Sequence, residues 1–216
     1  MYDTLGVWRA LWLSPRWQVR REFLVLVTDL RAEGARPSLA GAKVAVRWAA
    51  LTEADIPALR AANPKLSEAE MGRRWREGQE CIGGWVDRTL AHYRWDTAKP
   101  SYLPYLQAAF EPLDGDTFVF EAFTLPAFRG QGIHSLSTAR AFDRSREQGF
   151  RRSITLVAWW NAAALRVLRE KAGRDLAGTI VYWRLGIATR HVVTGSVKVA
   201  PHGRLYVAER CAGESG

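Results

Sequence analysis

Two periodicities of hydrophobic and polar positions alternate along this chain. Short apolar runs rich in β-branched and aromatic residues predict strands, and apolar residues spaced three and four apart predict helices. The predicted strands are Phe23–Thr28, Val44–Trp48, Cys81–Val86, Leu90–Trp95, Thr117–Thr124, Ser153–Trp159, Ile180–Leu185, Val192–Val199 and Leu205–Val207. The predicted helices are one within residues 2–17 that Pro15 ends, and those at Thr52–Ala62, Ser67–Arg76, Gly130–Gln148 and Asn161–Lys171. This order predicts an α+β, or mixed α/β, domain built around one sheet.

Polar residues at the ends of these elements support the boundaries. Thr52-Glu-Ala-Asp55 and Ser67-Glu-Ala-Glu70 have the capping-box pattern of helix N-termini. Asp87-Arg-Thr89 lies between two apolar runs and predicts a hairpin. The segment from Asp96 to Gly115 is rich in proline and aromatic residues, and it is predicted to be a loop of the kind that lines or covers a substrate cleft.

The chain is predicted to divide at a loop that ends near residue 42. Residues 1–42 form a predicted N-terminal extension, a helix plus a strand, packed on a main domain that spans 43–210. Residues 211–216 form a predicted flexible tail. Trp8 and Trp12 share the apolar stripe of the first helix, and arginines lie nearby. This helix either docks on the domain or makes a peripheral membrane contact, since Trp and Arg both suit the headgroup region.

The composition is that of an ordinary globular domain. Of the 216 residues, 48% are hydrophobic and 25% are charged. No apolar run reaches the ~20 residues that cross a bilayer, and no signal peptide is evident. Cys81 and Cys211 lie far apart, and neither they nor the histidines show metal-ligand spacing. These observations predict a cytoplasmic protein without a metal site. A homodimer is left open by the sequence.

The net charge of +9 indicates which kinds of ligand the protein can bind. It permits binding of a polyanionic cofactor, of nucleic acid or of an acidic lipid surface. The alternative is that the basic residues simply form solvated faces. No block of consecutive basic residues marks a nucleic-acid tail.

The segment from Phe118 to His134 carries the clearest functional signal. An apolar strand ends at Thr124, a turn follows, and a Gly-rich loop with Arg129 leads into a helix. Free N–H groups at a helix N-terminus, glycines that let a ligand approach the backbone, and the helix dipole together bind pyrophosphate. The segment therefore predicts a phosphate-binding loop.

With these elements in place, the region from Val44 to Leu185 resembles a GNAT-type acyl-CoA N-acyltransferase. The family's phosphate loop has the pattern Arg/Gln-x-x-Gly-x-Gly/Ala, which the run Arg129–Ile133 fits. The resemblance implies a mostly antiparallel twisted sheet flanked by helices, with two strands splayed around the pantetheine of acetyl-CoA or a longer acyl-CoA. The implied cofactor-binding residues are Phe123, Thr124, Arg129, Gly130, Gln131, Gly132, Ile133, His134 and Asn161.

Three positions leave alternatives open. His134 stands where the family has Gly or Ala, and it either contacts a phosphate or is an ordinary first-turn residue. Asn161 either hydrogen-bonds the pantetheine or only caps a helix. The helix Tyr that protonates the departing thiolate in many relatives is replaced by Leu168 or its neighbour. Tyr182, on the following strand, is a candidate substitute, and its alternative is a plain strand aromatic.

Glu121 is the first candidate for the acid that binds and helps deprotonate the amine. It interrupts an apolar strand, where a carboxylate is costly unless it is paired or used. Its alternative is an outward-facing side chain or a salt bridge to an arginine. Asp116, at the start of the same strand, is the second candidate and suits a turn equally well.

The function expected from the resemblance is N-acyl transfer, most simply N-acetyl transfer, from acyl-CoA to a primary amine of a small-molecule or protein acceptor. One alternative is a CoA-binding module without catalysis. The other is a basic protein associated with membranes or nucleic acid.

Overall fold

Strands dominate the architecture. The computed structural model describes residues 18–32 and 41–209. Its strands are β1 (Gln18–Asp29), β2 (Arg47–Leu51), β3 (Glu80–Val86), β4 (Thr89–Thr97), β5 (Ser101–Leu103), β6 (Ala108–Phe110), β7 (Asp116–Thr124), β8 (Arg152–Ala158), β9 (Asp175–Leu185), β10 (Ala188–Val193), β11 (Val197–Val199) and β12 (Leu205–Val207).

The strands form one large and one small sheet. The large sheet has eight strands in the order β10-β9-β1-β8-β7-β4-β3-β2, and the small one has the order β11-β12-β6-β5. In the large sheet β7 and β8 pair in parallel, and the other neighbouring strands pair antiparallel. The predicted α+β fold with a mostly antiparallel sheet is confirmed.

β1 occupies an interior position of the large sheet. On one side Phe23 pairs with Ala158 of β8, and on the other it pairs with Ile180 of β9. The strand predicted within the N-terminal extension is therefore an integral part of the sheet. The predicted helix at 2–17 and the predicted tail at 211–216 lie outside the described residues.

Helices cover both faces of the sheet. They are α1 (Ile56–Ala62), α2 (Glu68–Arg76), α3 (Ile133–Glu147) and α4 (Ala162–Leu165), and α4 continues as a π-helical turn at Arg166–Lys171. Alternate residues of β1 face opposite sides, so Phe23 and Val25 join the core that includes α1 and α2, whereas Leu26 packs under α4. No helix in the described ranges has the length and apolar character that a membrane span requires.

Two stretches differ from the sequence-based prediction. The segment predicted as a loop over 96–115 contains the paired strands β5 and β6, which bring it into the small sheet. The strand predicted over 192–199 is divided into β10 and β11 by a turn at Gly195. Gly195 has φ +63°, and a Cβ there would lie 2.3 Å from the carbonyl oxygen of Ala177, so only glycine fits this turn.

The parallel pair β7–β8 is intact only over its first residues. The last matched pair is Phe118 with Ile154, and beyond it the hydroxyl of Thr155 donates to the carbonyl of Val119 at 2.6 Å. β8 continues along β1 as far as Ala158, while β7 continues along β4, so the two strands separate.

A bulge marks the same part of β7. Tyr93 pairs with Phe123 and Trp95 pairs with Phe120, so two residues of β7 lie opposite Arg94 alone. Glu121 is one of the two and has φ +48°, a left-handed conformation that costs a non-glycine residue about 1 kcal/mol or more. The strain is located where the strands separate, and strained backbone of this kind is common at functional sites.

Candidate active site

The separation of β7 and β8 opens a cleft of about 200 Å³ through the sheet. We call it the sheet cleft. Glu121 and Ala122 line it from β7, Thr155 and Ala158 line it from β8, and Tyr105 closes one side. The cleft is thus built where the backbone of β7 has lost its strand neighbour, which leaves unpaired backbone groups facing it.

A larger cleft of about 610 Å³ adjoins the first and is called the loop cleft. The two share Ala122, His134, Asn161 and Ala164, so they form one continuous groove. Of the cofactor-binding residues that the resemblance implied, those that line the loop cleft are Phe123, Thr124, Arg129, Gly130, Gly132, Ile133, His134 and Asn161.

Gln131 is the implied residue that lines neither cleft. Its side-chain NH₂ donates to the carbonyl of Ala127 at 3.4 Å, and its backbone carbonyl accepts from the backbone N–H of Lys43 at 2.8 Å. Gln131 therefore shapes the loop from outside the groove.

Two left-handed glycines shape the loop that opens α3. Gly130 has φ +75° and Gly132, the residue that begins the helix, has φ +81°. A Cβ on Gly132 would lie in tight contact with the carbonyl oxygen of Gly41, at 3.1 Å, and the positive φ would strain any larger residue here. The N–H groups of the first helical turn, from Ile133 to Ser135, precede the first intrahelical bond and face the loop cleft.

Basic side chains surround this helix N-terminus. Lys43, Arg129 and Lys171 line the loop cleft, and none of the described residues lining it is acidic. Three cations beside the positive end of a helix favour a polyanion such as a pyrophosphate. Lys43 and Lys171 were not predicted, because their proximity to the loop depends on the tertiary fold.

Asn161 caps a helix, which is one of its two alternatives. Its Oδ1 atom accepts from the backbone N–H of Ala164 at 3.2 Å and so caps α4. The cap uses only the carbonyl end of the side chain. The NH₂ end remains a donor at the junction of the two clefts.

His134 turns inward rather than toward the solvent. Its Nε2 atom is buried and has no hydrogen-bond partner among the described residues, and its ring lies 5.9 Å from that of His92. Burial, together with the positive charges of Arg174 and Arg94, lowers the pKa of His134 to about 4. The side chain is therefore a neutral part of the groove wall at physiological pH.

This burial predicts a loss of stability in acid. The unfolded chain binds a proton at His134 near its ordinary pKa of about 6.5, while the folded protein does so only near pH 4. Between these values the unfolded state holds more protons, so the free energy of unfolding falls as pH falls. From pH 7 to pH 5 the wild type should lose about 2 kcal/mol more than His134→Gln, measured by urea denaturation. Equal losses in the two proteins would show that folding does not lower the pKa of His134.

Glu121 forms a salt bridge with a buried arginine of α2. Arg74 donates from Nη1 to Oε2 at 2.7 Å and from Nη2 to Oε1 at 2.8 Å, and its own side chain is only 2% exposed. Its guanidinium also lies about 5 Å from the ring centres of Trp95 and Phe120. The salt-bridge alternative for Glu121 is thus present, yet Glu121 also lines the sheet cleft, where it is the only carboxylate among the described residues.

The two other catalytic candidates lie away from the groove. Both oxygens of buried Asp116 accept from Arg152, at 2.6 and 2.7 Å, so this carboxylate anchors the paired starts of β7 and β8. Tyr182 is buried and donates its hydroxyl to Gln107 at 2.8 Å. Neither lines the sheet cleft or the loop cleft, so the structure corrects both assignments.

Tyr105 is a further cleft residue that the sequence did not single out. It lies between β5 and β6, lines the sheet cleft beside Glu121, and packs its ring 5.2 Å from that of Phe23. Burial, and then the negative charge of Glu121, raise the pKa of Tyr105 above its ordinary value, so its hydroxyl stays protonated. The only sequence signal was general: an aromatic segment over 96–115, predicted to line a cleft.

The backbone of β7 supplies a further donor. Leu125 donates its N–H to Ala91 of β4 at 2.9 Å, and the register pairs Phe123 with Tyr93. In an antiparallel pair the N–H groups of successive residues point to opposite sides of the strand. The N–H of Phe123 therefore points toward β4, and that of Thr124 points toward the side where β8 has separated from β7. The carbonyl of Thr124 accepts from Arg129 at 3.2 Å, consistent with that direction.

Solved structures of other proteins have a similar fold. A GCN5-related N-acetyltransferase from Sphaerobacter thermophilus superposes with a TM-score of 0.55 at 13% identity, covering 90% of this chain and 58% of that one. A protein assigned to the GNAT family from Novosphingobium aromaticivorans gives a TM-score of 0.54 at 18% identity, with 77% and 66% covered. The chain has the GNAT fold.

A third similar structure leaves the activity open. It is a functionally unknown conserved protein from Staphylococcus epidermidis, with a TM-score of 0.56, 14% identity, and coverage of 87% of this chain and 69% of that one. No protein-family model and no curated protein match the sequence. Identities this low establish the fold alone, and the function depends on the chemistry of the groove.

Proposed function

We propose that this protein is an N-acyltransferase that moves an acyl group, acetyl or a longer chain, from acyl-CoA to a primary amine. The observation that carries the proposal is the continuity of the groove. One end is a left-handed glycine loop at a helix N-terminus surrounded by three cations, and the other is a gap between strands that holds a carboxylate and a tyrosine. An extended thioester with a polyanionic end fits such a groove.

The loop cleft fits the phosphates of CoA. The N–H groups from Ile133 to Ser135 would donate to the pyrophosphate, and Lys43, Arg129 and Lys171 would neutralise its charge. The NH₂ of Asn161 and the unpaired edges of β7 and β8 would hydrogen-bond the pantetheine amides, as an added strand does.

The sheet cleft supplies groups for acyl transfer. The N–H of Thr124 would donate to the thioester carbonyl and stabilise the negative charge that develops there. Glu121 would hold the attacking amine through oxygen lone pairs not used by Arg74, and would accept its proton directly or through a water. When the carbon–sulfur bond breaks, the hydroxyl of Tyr105 would give its proton to the departing thiolate.

Tyr105→Phe is expected to lower kcat by about 100-fold, since it removes the proton donor and keeps the ring. Acetyl-CoA affinity should stay within about twofold of wild type. Because burial raises the pKa of Tyr105, wild-type kcat should not fall up to pH 10 through loss of this proton. Release of free CoA thiol at saturating amine measures the rate. An unchanged kcat in the variant would remove Tyr105 from the mechanism.

Binding of acetyl-CoA tests the proposal at its first step. Lys171→Ala should weaken the binding about tenfold by calorimetry, because one phosphate contact is lost. Lys198→Ala is the matched control, since this exposed lysine lies in the small sheet and its Nζ atom donates only to the carbonyl of Gly195 among the described residues. Wild-type protein that binds no CoA ester would contradict the proposal.

A CoA-binding module without catalysis is the second candidate function. The observation that favours it is the engagement of both Glu121 oxygens by Arg74. It predicts CoA binding without thiol release for any amine. The identity of the acceptor, the cytoplasmic location, the membrane contact and the homodimer stay predictions.

A further inference from the structure

Two buried arginines line the inner end of the sheet cleft. This inner pocket is bounded by Arg94 of β4, by Ser137, Thr138 and Ala141 of α3, by Leu168 of the π-helical turn and by Arg174, which directly precedes β9. It lies on the α3–α4 side of the sheet, which is also the side of the loop cleft. Apolar side chains line the walls of the pocket, and cationic side chains lie at its end. This arrangement suits a short aliphatic chain that ends in an anionic group.

Arg174 is the unusual member of the inner pocket. It is 4% exposed, and no carboxylate of the described residues lies within ion-pair distance of it. Its two Nη atoms donate to the carbonyl and the hydroxyl of Ser153, at 2.8 and 3.2 Å, while Nε is buried without a partner. A buried guanidinium without a counter-ion is costly, so a ligand that brings a negative charge would offset that cost.

Arg94 adds a second buried cation. Its Nε bonds both oxygens of Asp96, at 3.0 and 3.1 Å, and its Nη1 donates to the hydroxyl of Ser137 at 2.9 Å. Arg94 and Arg174 both line the sheet cleft, together with Ser137 and Thr138 of α3. Glu121, the only carboxylate that the described residues place on this cleft, is held by Arg74.

We propose that the inner pocket binds a carboxylate at the end of the donor's acyl chain, so that the preferred donor is a short dicarboxylic acyl thioester such as succinyl-CoA. The methylene groups would pack on Ala141 and Leu168, and the carboxylate would lie between Arg174 and Arg94. The whole sheet cleft has a volume of about 200 Å³, which limits its occupant to a short chain, since a cavity of about 150 Å³ already holds benzene. This inference rests on the proposed acyl-CoA function.

A carboxylate could also belong to the acceptor amine, as in an amino acid. The position of the pocket favours the donor, because the pocket opens on the α3–α4 side, where the loop cleft would hold the rest of the thioester. Tyr105 and Phe23 line the other side of the sheet cleft, which leaves that side for the amine.

Calorimetry with butyryl-CoA and succinyl-CoA tests the inference, because the two chains have the same length and differ in the terminal carboxylate. Wild type should bind succinyl-CoA about tenfold or more tightly than butyryl-CoA. In Arg174→Gln the ratio of the two Kd values should approach one, in Arg174→Lys it should be partly kept, and in Lys198→Gln it should be unchanged. The ratio of the two Kd values is calculated within each protein. If the arginine variants do not fold, the wild-type ratio alone tests the inference.

Each contrary result has a distinct meaning. Equal wild-type affinities for the two esters, with tight binding of both, would overturn the inference and leave the proposed function intact. Absence of binding by acetyl-, butyryl- and succinyl-CoA alike would instead overturn the proposed function. Acetyl transfer to β-alanine and to propylamine forms the second arm. A preference for β-alanine that disappears in Arg174→Gln would assign the carboxylate to the acceptor and overturn the donor assignment.

Discussion

Glu121→Gln is expected to lower kcat/KM for amine acetylation by about 1000-fold, within the range that general acid–base groups contribute. The substitution keeps the shape of the side chain and removes its charge. Two effects then combine, since the neutral amide cannot hold a cationic amine and cannot accept its proton. The measurement is thiol release at varied amine concentration, with acetyl-CoA saturating.

The same variant separates catalysis from cofactor binding. Glu121 lines the sheet cleft and not the loop cleft that would hold the phosphates, so acetyl-CoA affinity should change by less than about threefold. Activity within about tenfold of wild type would show that Glu121 serves only to pair with Arg74, and would favour another route for the amine proton. Thermal unfolding of the variant controls for misfolding.

Arg74→Leu is expected to destabilise the protein by about 3–5 kcal/mol, because it leaves a partly buried carboxylate without its partner. Arg74 bonds Glu121 through both Nη atoms and Glu70 through Nε, and it lies between aromatic rings. The Glu121 side chain is 23% exposed, so solvent can screen little of its unpaired charge. Urea denaturation measures the change in the free energy of unfolding.

Two further variants distinguish a lost charge pair from a poorly packed leucine. Arg74→Leu combined with Glu121→Leu should recover most of the lost stability, since apolar replacement of both partners leaves no unpaired charge. Arg60→Leu is the control, because Arg60 pairs with Glu68 on the surface and should change stability by less than about 1 kcal/mol. If the double variant is as unstable as Arg74→Leu alone, packing rather than the ion pair explains the loss.

The parts of the site that the sequence predicted are those encoded locally. Gly130 and Gly132 adopt the left-handed conformation that a loop before a helix needs, and Asn161 caps the following helix. Each of these features depends on residues a few positions apart. The strands and helices near them were predicted for the same reason.

The parts that the sequence did not predict depend on distant pairings. Arg74 and Glu121 are separated by 47 positions, and only the packing of α2 on the sheet joins them. Asp116 was taken as a catalytic candidate because a carboxylate at a strand end is locally ambiguous, and its pairing with Arg152 follows from the parallel register of β7 and β8. Tyr105 reaches the cleft because β5 and β6 belong to the small sheet.

A crystal structure of the protein with CoA tests the central claim most directly. We expect pantetheine in the gap between β7 and β8, beside Ala122 and Asn161. We expect the pyrophosphate at the N–H groups from Ile133 to Ser135, within reach of Lys43 and Lys171. CoA bound elsewhere on the protein, with β7 and β8 separated but nothing between them, would contradict it.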